Sequence, residues 1–266
     1  LPGDPDPAKV EVRGGEIPVV PGTTFARVRH LLRAKTPAPT VRILPSSGDS
    51  DRSTERDEFA SLLGVGPPRP TTETDVQVAG ATGPDGTVYV LPRDAPRAQI
   101  ERTLAHEFTH VVQYDAGSVS RIRRRLPAAR RDTADGEYVA RSVLEGAATY
   151  VSTRYTRRYQ PTVESERETL HRIYADASAG TRLFWGAYYY GDRYVAGTVE
   201  SPRALDDVYA APPATTEQLL HRTDDPPAPL TVATGPGITR RVRESTDSRG
   251  ELFVRVLLRS ELGRER

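Results

Sequence analysis

The clearest hydrophobic pattern in the sequence is an apolar stripe between Gly136 and Tyr155. Apolar residues recur there at intervals of three and four, as an amphipathic helix requires: Ala140, Val143, Leu144, Ala147, Ala148 and Val151. A second stripe, between Pro96 and Tyr114, predicts another helix, which begins after Pro92 has ended the preceding strand. The pattern therefore predicts two long helices in the middle of the chain.

The segments on either side of these helices predict the rest of the fold. Short helices are expected at 24–32 and 57–63, and strands at 40–44, 75–79 and 87–91, the last two forming a hairpin around a Pro-Asp-Gly turn. Further helices are predicted at 163–177, 182–196, 202–209, 216–221 and 251–262. Strands in the first third and helices in the remainder indicate an α+β fold, with a small mixed or antiparallel sheet followed by a mostly helical half.

The chain divides into three regions. Residues 1–20 alternate Pro, Gly and charged residues without apolar periodicity, which predicts a flexible N-terminal arm. Residues 21–222 form the predicted folded domain. Residues 223–266 are expected to be a linker and an amphipathic helix, which either docks on the domain or belongs to a longer chain that was cut at this point.

Composition excludes several classes of function. The 37 basic and 36 acidic residues of the 266 leave a net charge of +1, so no overall field attracts nucleic acid or an anionic membrane. No apolar stretch is long enough to predict a membrane span. With no Cys, a metal site must use His, Asp or Glu. The absence of Cys and Met and of an initiator Met favours a secreted or cell-surface protein.

The helix predicted at 96–114 contains an HExxH motif, which begins at His106 and ends at His110. Histidines four positions apart lie on one helical face, one turn apart, which is the spacing that two imidazoles need to bind one metal ion. The apolar residues of the helix lie on nearly the opposite face, so their burial turns both imidazoles toward a cleft. The alternative is a pair of solvated or core histidines that bind no metal.

A catalytic zinc ion usually has three protein ligands, so a third ligand is required. A metzincin would continue the motif as HExxHxxGxxH, but Gln113 and Ala116 stand at those Gly and His positions. The best candidate is Glu145, in LEGAATYV on the second long helix, because the three small residues after it allow a close approach to the first helix. The alternative is that Glu145 is a surface glutamate.

The segment TLAHEFTHVV, together with LEGAATY around Glu145, resembles the gluzincin group of zinc metallopeptidases, which includes the thermolysin type. The resemblance implies a zincin-like fold for residues 21–222 and a Zn²⁺ ion bound by His106, His110 and Glu145. It also implies that Glu107 is the catalytic base, which takes a proton from zinc-bound water as that water attacks a peptide carbonyl. The gap from His110 to Glu145 is longer than in thermolysin, so the resemblance is to the group and not to that enzyme.

Three further assignments follow from this resemblance. The segment AYYYGDRYV resembles a gluzincin segment that implies an oxyanion-stabilising Tyr188, although half-buried packing is the alternative. The segment TTEQLLH resembles one that follows the site in some relatives and implies a catalytic His221, with a structural His at a helix end as the alternative. In zincins an edge strand binds the extended substrate, which implies that Val88, Tyr89 and Val90 bind the peptide unless they form an ordinary core strand.

Two features leave more than one interpretation open. RIRRRLPAARR, at 121–131, is a local basic cluster that could bind an acidic substrate, a cell-surface polymer or nucleic acid, but it lacks interleaved aromatic residues and a solvated helical face is favoured. Asp115, Asp132 and Thr149 are equal candidates to orient a ligand imidazole.

The sequence thus predicts a zinc peptidase that acts on a peptide or protein substrate, without nucleic acid and without a membrane span. Two alternatives remain. One is a catalytically silent secreted or surface binding protein that retains a zincin fold, and the other is a non-peptidase zinc amidohydrolase. Nothing in the sequence indicates the oligomeric state.

Overall fold

The computed structural model describes residues 3–45, 58–68, 79–225 and 247–262. Within these residues the chain has the expected α+β organisation, with a small mixed sheet and a mostly helical second part. No described helix combines the length and apolarity that crossing a bilayer requires.

The sheet contains four strands, which are β1 (Glu11–Arg13), β2 (Thr40–Ile43), β3 (Ala79–Thr82) and β4 (Val88–Leu91). Their order across the sheet is β1-β2-β4-β3. The β1–β2 and β2–β4 pairs are parallel, whereas β3 and β4 are antiparallel. The β3–β4 pair confirms a hairpin around the Pro-Asp-Gly turn, but β3 begins at Ala79, where the predicted first strand ends, and residues 75–78 lie outside the described residues.

The segment predicted as a flexible arm contributes strand β1 to the sheet. Val12 pairs with Val41, and the Asp4 carboxylate lies 2.6 Å from the Arg27 guanidinium. The strand β1 has only three residues, Glu-Val-Arg, and all of them are exposed. A segment this short does not show the alternating apolar pattern by which a strand is recognised in the sequence. The prediction of a loose arm was therefore wrong for these residues, because pairing with a neighbouring strand is not visible in local composition.

The helices form at the predicted places with ends shifted by a few residues, and two more lie in the Arg-rich stretch. In chain order they are α1 (Pro21–Leu32), α2 (Glu58–Leu62), α3 (Arg97–Asp115), α4 (Ser118–Arg125), α5 (Ala128–Arg131), α6 (Ala134–Tyr159), α7 (Glu166–Asp176), α8 (Ala179–Thr198), α9 (Leu205–Ala210), α10 (Thr216–His221) and α11 (Gly250–Leu262). A 3₁₀ turn at Pro202–Ala204 precedes α9.

The main core lies between the sheet and the helices α1, α3 and α6. The apolar stripe of α3 is buried there, and Phe108 packs edge-on against Phe25 of α1 at 5.1 Å between ring centroids. On α6, Val143, Ala147 and Val151 are fully buried, as the stripe predicts. Because one face of α3 is held by this core, its other face is presented to the space between α3, α6 and α8.

The backbones of α6 and α8 touch where two glycines meet. A Cβ atom on Gly146 would lie 2.1 Å from the carbonyl carbon of Gly191, and one on Gly191 would lie 2.0 Å from the carbonyl oxygen of Ser142. Gly191 therefore allows α8 to pack closely on α6. Gly146 likewise allows α6 to approach α8, so the reason given for the small residues that follow Glu145, approach to α3, does not apply to Gly146.

The final helix docks on the rest of the domain. Leu252, Phe253 and Val256 of α11 are buried, and the helix packs against α8 and α10. This is one of the two outcomes expected for an amphipathic helix near the end of the sequence. Most of the linker predicted before it, residues 226–246, lies outside the described residues.

Candidate metal centre

Three side chains from α3 and α6 converge on one small space. His106 Nε2 and His110 Nε2 lie 3.1 Å apart, and Glu145 Oε2 lies 3.3 Å from the first and 3.2 Å from the second. In a tetrahedral zinc site with bonds of about 2.0–2.1 Å, the ligand atoms lie about 3.3 Å apart. The His106, His110 and Glu145 cluster could therefore hold a metal ion.

The hydrogen bonds of His110 determine which of its nitrogens carries the proton. Its Nδ1 lies 2.7 Å from the side-chain oxygen of Gln113, and the Gln113 amide nitrogen donates to the Leu144 carbonyl and the Tyr209 hydroxyl. That amide can be oriented in only one way, so its oxygen accepts a hydrogen bond from Nδ1–H. The Nε2 lone pair of His110 is then directed at Glu145.

A carboxylate faces the corresponding nitrogen of His106. Glu166 is the first residue of α7, and its Oε1 lies 2.9 Å from His106 Nδ1, although the two groups are not aligned as a hydrogen bond. A carboxylate at this distance favours a proton on Nδ1 and a free lone pair on Nε2. Lone pairs from two imidazoles and a carboxylate thus share one space, and this arrangement requires a positive charge, either protons or a metal ion, between them.

The electrostatics of the cluster agree with this requirement. Burial lowers the pKa of His106, but the carboxylates of Glu166 and Glu145 more than offset burial and raise it well above its ordinary value. For His110, burial likewise opposes the effect of Glu145, and the pKa is raised on balance. Burial raises the pKa of Glu145, but the two histidines lower it far below its usual range. The cluster therefore holds protons that a metal ion would displace.

Strand β3 determines the position of Glu107. The Thr82 hydroxyl donates to Glu107 Oε2 at 2.7 Å, and it also lies 3.1 Å from the Glu107 backbone oxygen. A Cβ atom on Gly80 would lie 2.6 Å from Glu107 Oε1, so glycine at this position leaves space for the carboxylate where it lies. Glu107 is 6% exposed and lines the same cleft as His106. Its carboxylate is thus held beside His106 of the cluster by a strand from a different part of the chain.

An aromatic cleft of about 270 Å³ opens beside His106 and Glu107. Its wall includes residues of β3, α7 and α8: Ala79, Gly80, Leu170, Phe184, Trp185 and Tyr188. The Tyr188 ring stacks on the His106 ring, with centroids 5.9 Å apart and planes 25° apart. Burial and the nearby Glu145 carboxylate raise the pKa of Tyr188, so its hydroxyl stays protonated. The structure thus brings Tyr188 to the cluster, as expected.

Strand β4 is not an edge strand, which contradicts the assignment of Val88, Tyr89 and Val90 to substrate binding. It is paired with β2 on one side and with β3 on the other, so its backbone groups are already hydrogen-bonded. Val88 and Val90 are fully buried. The alternative of an ordinary core strand was correct. Among the described strands, the one at the edge of the sheet beside the HExxH helix is β3, which precedes β4 in the hairpin.

His221 is not part of the metal centre. Its Nε2 lies 2.9 Å from both carboxylate oxygens of Glu251 on α11, and its side chain is 49% exposed. It lines neither the aromatic cleft nor a second cavity, which adjoins His110 and Glu145. This corrects the catalytic assignment, because the structure shows a residue at a helix end that pairs with the final helix.

The residues that orient the two imidazoles are Gln113 and Glu166, which the sequence analysis did not select. Asp115 makes no described contact with either histidine, and Asp132 pairs with Arg123. Thr149 contributes indirectly to the orientation of His106, because its hydroxyl lies 3.4 Å from Glu166 Oε1. Gln113 lies three positions after His110 on α3, a spacing that places both on one face. No comparable spacing in the sequence links Glu166 to His106, because the two residues lie on different helices.

No protein-family model, curated protein or solved structure matches this chain.

Proposed function

We propose that this protein is a zinc-dependent peptidase with a zincin-like fold. The observation that carries this proposal is the convergence of the His106, His110 and Glu145 donor atoms, with the Glu107 carboxylate held beside them. Two imidazoles and one carboxylate form a common ligand set of catalytic zinc sites, which leave a further position for water or substrate. The gluzincin resemblance of the two motifs supports the same assignment.

The arrangement of the side chains supports hydrolysis of an amide. When bound, zinc lowers the pKa of water and polarises a carbonyl group. Glu107 lies where it can accept a proton from the attacking water and donate it to the leaving amine. Thr82 keeps this carboxylate in place by donating to one of its oxygens. The protonated Tyr188 hydroxyl supplies a donor for the carbonyl oxygen as that oxygen gains negative charge.

Strand β3 is the proposed binding site for the substrate backbone. One side of β3 pairs with β4, and its residues Ala79 and Gly80 line the aromatic cleft beside Glu107. An extended peptide that pairs with the other side of β3 would gain main-chain hydrogen bonds without a strict sequence requirement. The aromatic and aliphatic wall of the cleft favours an apolar side chain at this position of the substrate.

The proposal is tested by measuring zinc content and cleavage of unfolded casein for the wild type and for Glu107→Gln. We expect one zinc per chain in both proteins, and a loss of cleavage of about 10²–10⁴-fold in the variant. Glu200→Gln is the matched control, because Glu200 is exposed and lies outside the site, and it should retain full activity.

Each contrary outcome has a defined meaning. Stoichiometric zinc without hydrolysis of any amide would favour the silent binding protein, and hydrolysis confined to non-peptide amides would favour the amidohydrolase. A chain that binds no zinc, or a Glu107→Gln variant with unchanged cleavage, would refute the proposed mechanism.

A further inference from the structure

A second cavity adjoins the metal centre through the ligands His110 and Glu145. It has a volume of about 410 Å³ and lies between α3, α4, α5 and α6. Three arginines line it, which are Arg123 on α4, Arg131 on α5 and Arg141 on α6. We call this cavity the arginine pocket. Two of the three belong to the Arg-rich stretch, which the fold thus places partly against the site and not only on a solvated face.

The arginine pocket carries an excess of positive charge. Apart from the metal ligand Glu145, Glu137 is its one acidic lining residue. The ion pair of Arg123 with Asp132 is long, at 3.7 Å, and both side chains are more than half exposed. A pair of this kind contributes little and leaves Arg123 able to bind another anion.

The other two arginines have no carboxylate partner in the described part of the chain. Arg131 donates to the backbone carbonyls of Arg124 and Leu126, and its buried Nε has no hydrogen-bond partner among the described residues. The Arg141 guanidinium lies over the rings of Phe184 and Tyr188, at 4.8 and 5.6 Å from their centroids. Buried donors in folded proteins are usually hydrogen-bonded, so the Nε–H of Arg131 is available to an anion that enters the arginine pocket.

Arg141 connects the arginine pocket to the reacting centre. It lies four residues before Glu145 on α6, so both side chains project from the same face of that helix. The Tyr188 ring, which Arg141 contacts, stacks on His106. A group bound by Arg141 would therefore lie next to the scissile bond of a peptide held at the metal ligands.

We propose that the arginine pocket binds a carboxylate group of the substrate, so that the enzyme selects peptides with negative charge beside the scissile bond. This inference rests on the proposed peptidase function. The planar guanidinium fork binds a carboxylate through two parallel hydrogen bonds, which gives orientation as well as affinity. The carboxylate can come from a Glu side chain or from a free C-terminus, and the chemistry of recognition is the same for both.

The test compares four peptides that share an apolar residue for the aromatic cleft. They carry Glu or Gln beside the scissile bond and end in a free acid or an amide. We expect kcat/KM to be about 10–100-fold higher for the preferred anionic form than for its neutral counterpart, because an ion-paired hydrogen bond of this kind strengthens binding by about that factor. The Glu/Gln pair reports a side-chain carboxylate, and the acid/amide pair reports a terminal one.

Arg141→Gln should reduce this preference to about twofold or less, while zinc content is retained. The readout is the ratio of kcat/KM between the anionic and the neutral peptides, so an effect of the substitution on Tyr188 that is common to all four peptides cancels. Arg125→Gln is the matched control, because Arg125 is an exposed residue of α4 that does not line the arginine pocket, and it should keep the full preference. Equal rates for all four peptides in the wild type would overturn the proposal. A preference that survives in both Arg141→Gln and Arg123→Gln would also overturn it.

A binding measurement separates failure of this inference from failure of the proposed function. The four peptides are titrated by calorimetry into zinc-loaded Glu107→Gln and into the Glu107→Gln, Arg141→Gln double variant. We expect the anionic peptide to bind about tenfold or more tightly to the first protein and to lose that advantage in the second. If the wild type cleaves nothing but this difference is present, the peptidase proposal fails and the carboxylate site stands. Equal dissociation constants would refute the site.

Discussion

The contact between α6 and α8 predicts that Gly191→Ala destabilises the protein. The added Cβ would lie 2.0 Å from the Ser142 carbonyl oxygen and 3.0 Å from the Gly146 Cα. All three positions belong to helical backbone, so no side chain can rotate away to relieve the overlap. The two helices would have to separate by more than about 1 Å to reach ordinary contact distance.

The expected magnitude follows from two opposing effects. Overpacking a dense contact costs about 1–3 kcal/mol, and the upper end applies here because backbone atoms collide. Replacing glycine by alanine inside a helix stabilises it by about 1 kcal/mol. The free energy of unfolding should therefore fall by about 2 kcal/mol, which lowers Tm by about 4–8 °C in a domain of this size.

The assay is thermal unfolding of the wild type and of the Gly191→Ala and Gly66→Ala variants, monitored by circular dichroism. Gly66 is the matched control, because a Cβ atom there would meet no atom within 4 Å, and its substitution should change the unfolding free energy by less than about 0.5 kcal/mol. Since Glu145 precedes Gly146 on α6, we also expect weaker zinc binding by Gly191→Ala. A variant as stable as the wild type would refute the close packing of these helices.

Three further predictions concern the metal centre. Thr82→Val should lower kcat about tenfold without loss of zinc, because Glu107 loses its one described side-chain donor; kinetics and metal analysis would check this. Gln113→Leu should weaken zinc binding about 10–100-fold in a chelator competition, because the proton on His110 Nδ1 loses its acceptor. Zinc affinity should fall as pH falls through the raised pKa values of His106 and His110, because protons compete for the same lone pairs; titrations between pH 6 and 8 would measure this.

The stability of the metal-free protein should fall as pH rises, whereas zinc affinity should fall as pH decreases. A folded-state pKa above the unfolded value stabilises the fold below the unfolded pKa, and this contribution is lost as pH rises through the folded value. The metal-free form should thus become less stable toward alkaline pH, and zinc should restore stability there. Unchanged zinc affinity across this range, full zinc affinity in Gln113→Leu or full kcat in Thr82→Val would each contradict the assigned contacts.

The sequence was sufficient to predict the parts of the site that depend on helical periodicity. The HExxH spacing and the apolar stripe of α3 place His106 and His110 on one face, and the stripe of α6 orients Glu145. These relations involve residues a few positions apart on one element, so they do not depend on how the chain folds back on itself.

The remaining contacts depend on tertiary structure. Glu166 reaches His106 because α7 packs beside α6, and Thr82 reaches Glu107 because β3 and not β4 lies at the edge of the sheet. Which hairpin strand is the inner one depends on which of them pairs with β2, and that pairing joins residues far apart in the sequence. The pairing of His221 with Glu251 likewise depends on where the final helix docks.

Strand β3 positions Glu107 and is also the proposed binding site for the substrate backbone, so the length of the substrate should affect kcat. Thr82 and Gly80 both determine where the Glu107 carboxylate lies, and the outer side of the same strand is the proposed support for the substrate backbone. A ligand that pairs with β3 along its whole length would also restrict the movement of the Glu107 carboxylate, the proposed proton acceptor. Peptides too short to cover the strand should therefore react slowly even at saturating concentration, so that truncation lowers kcat and does not merely raise KM.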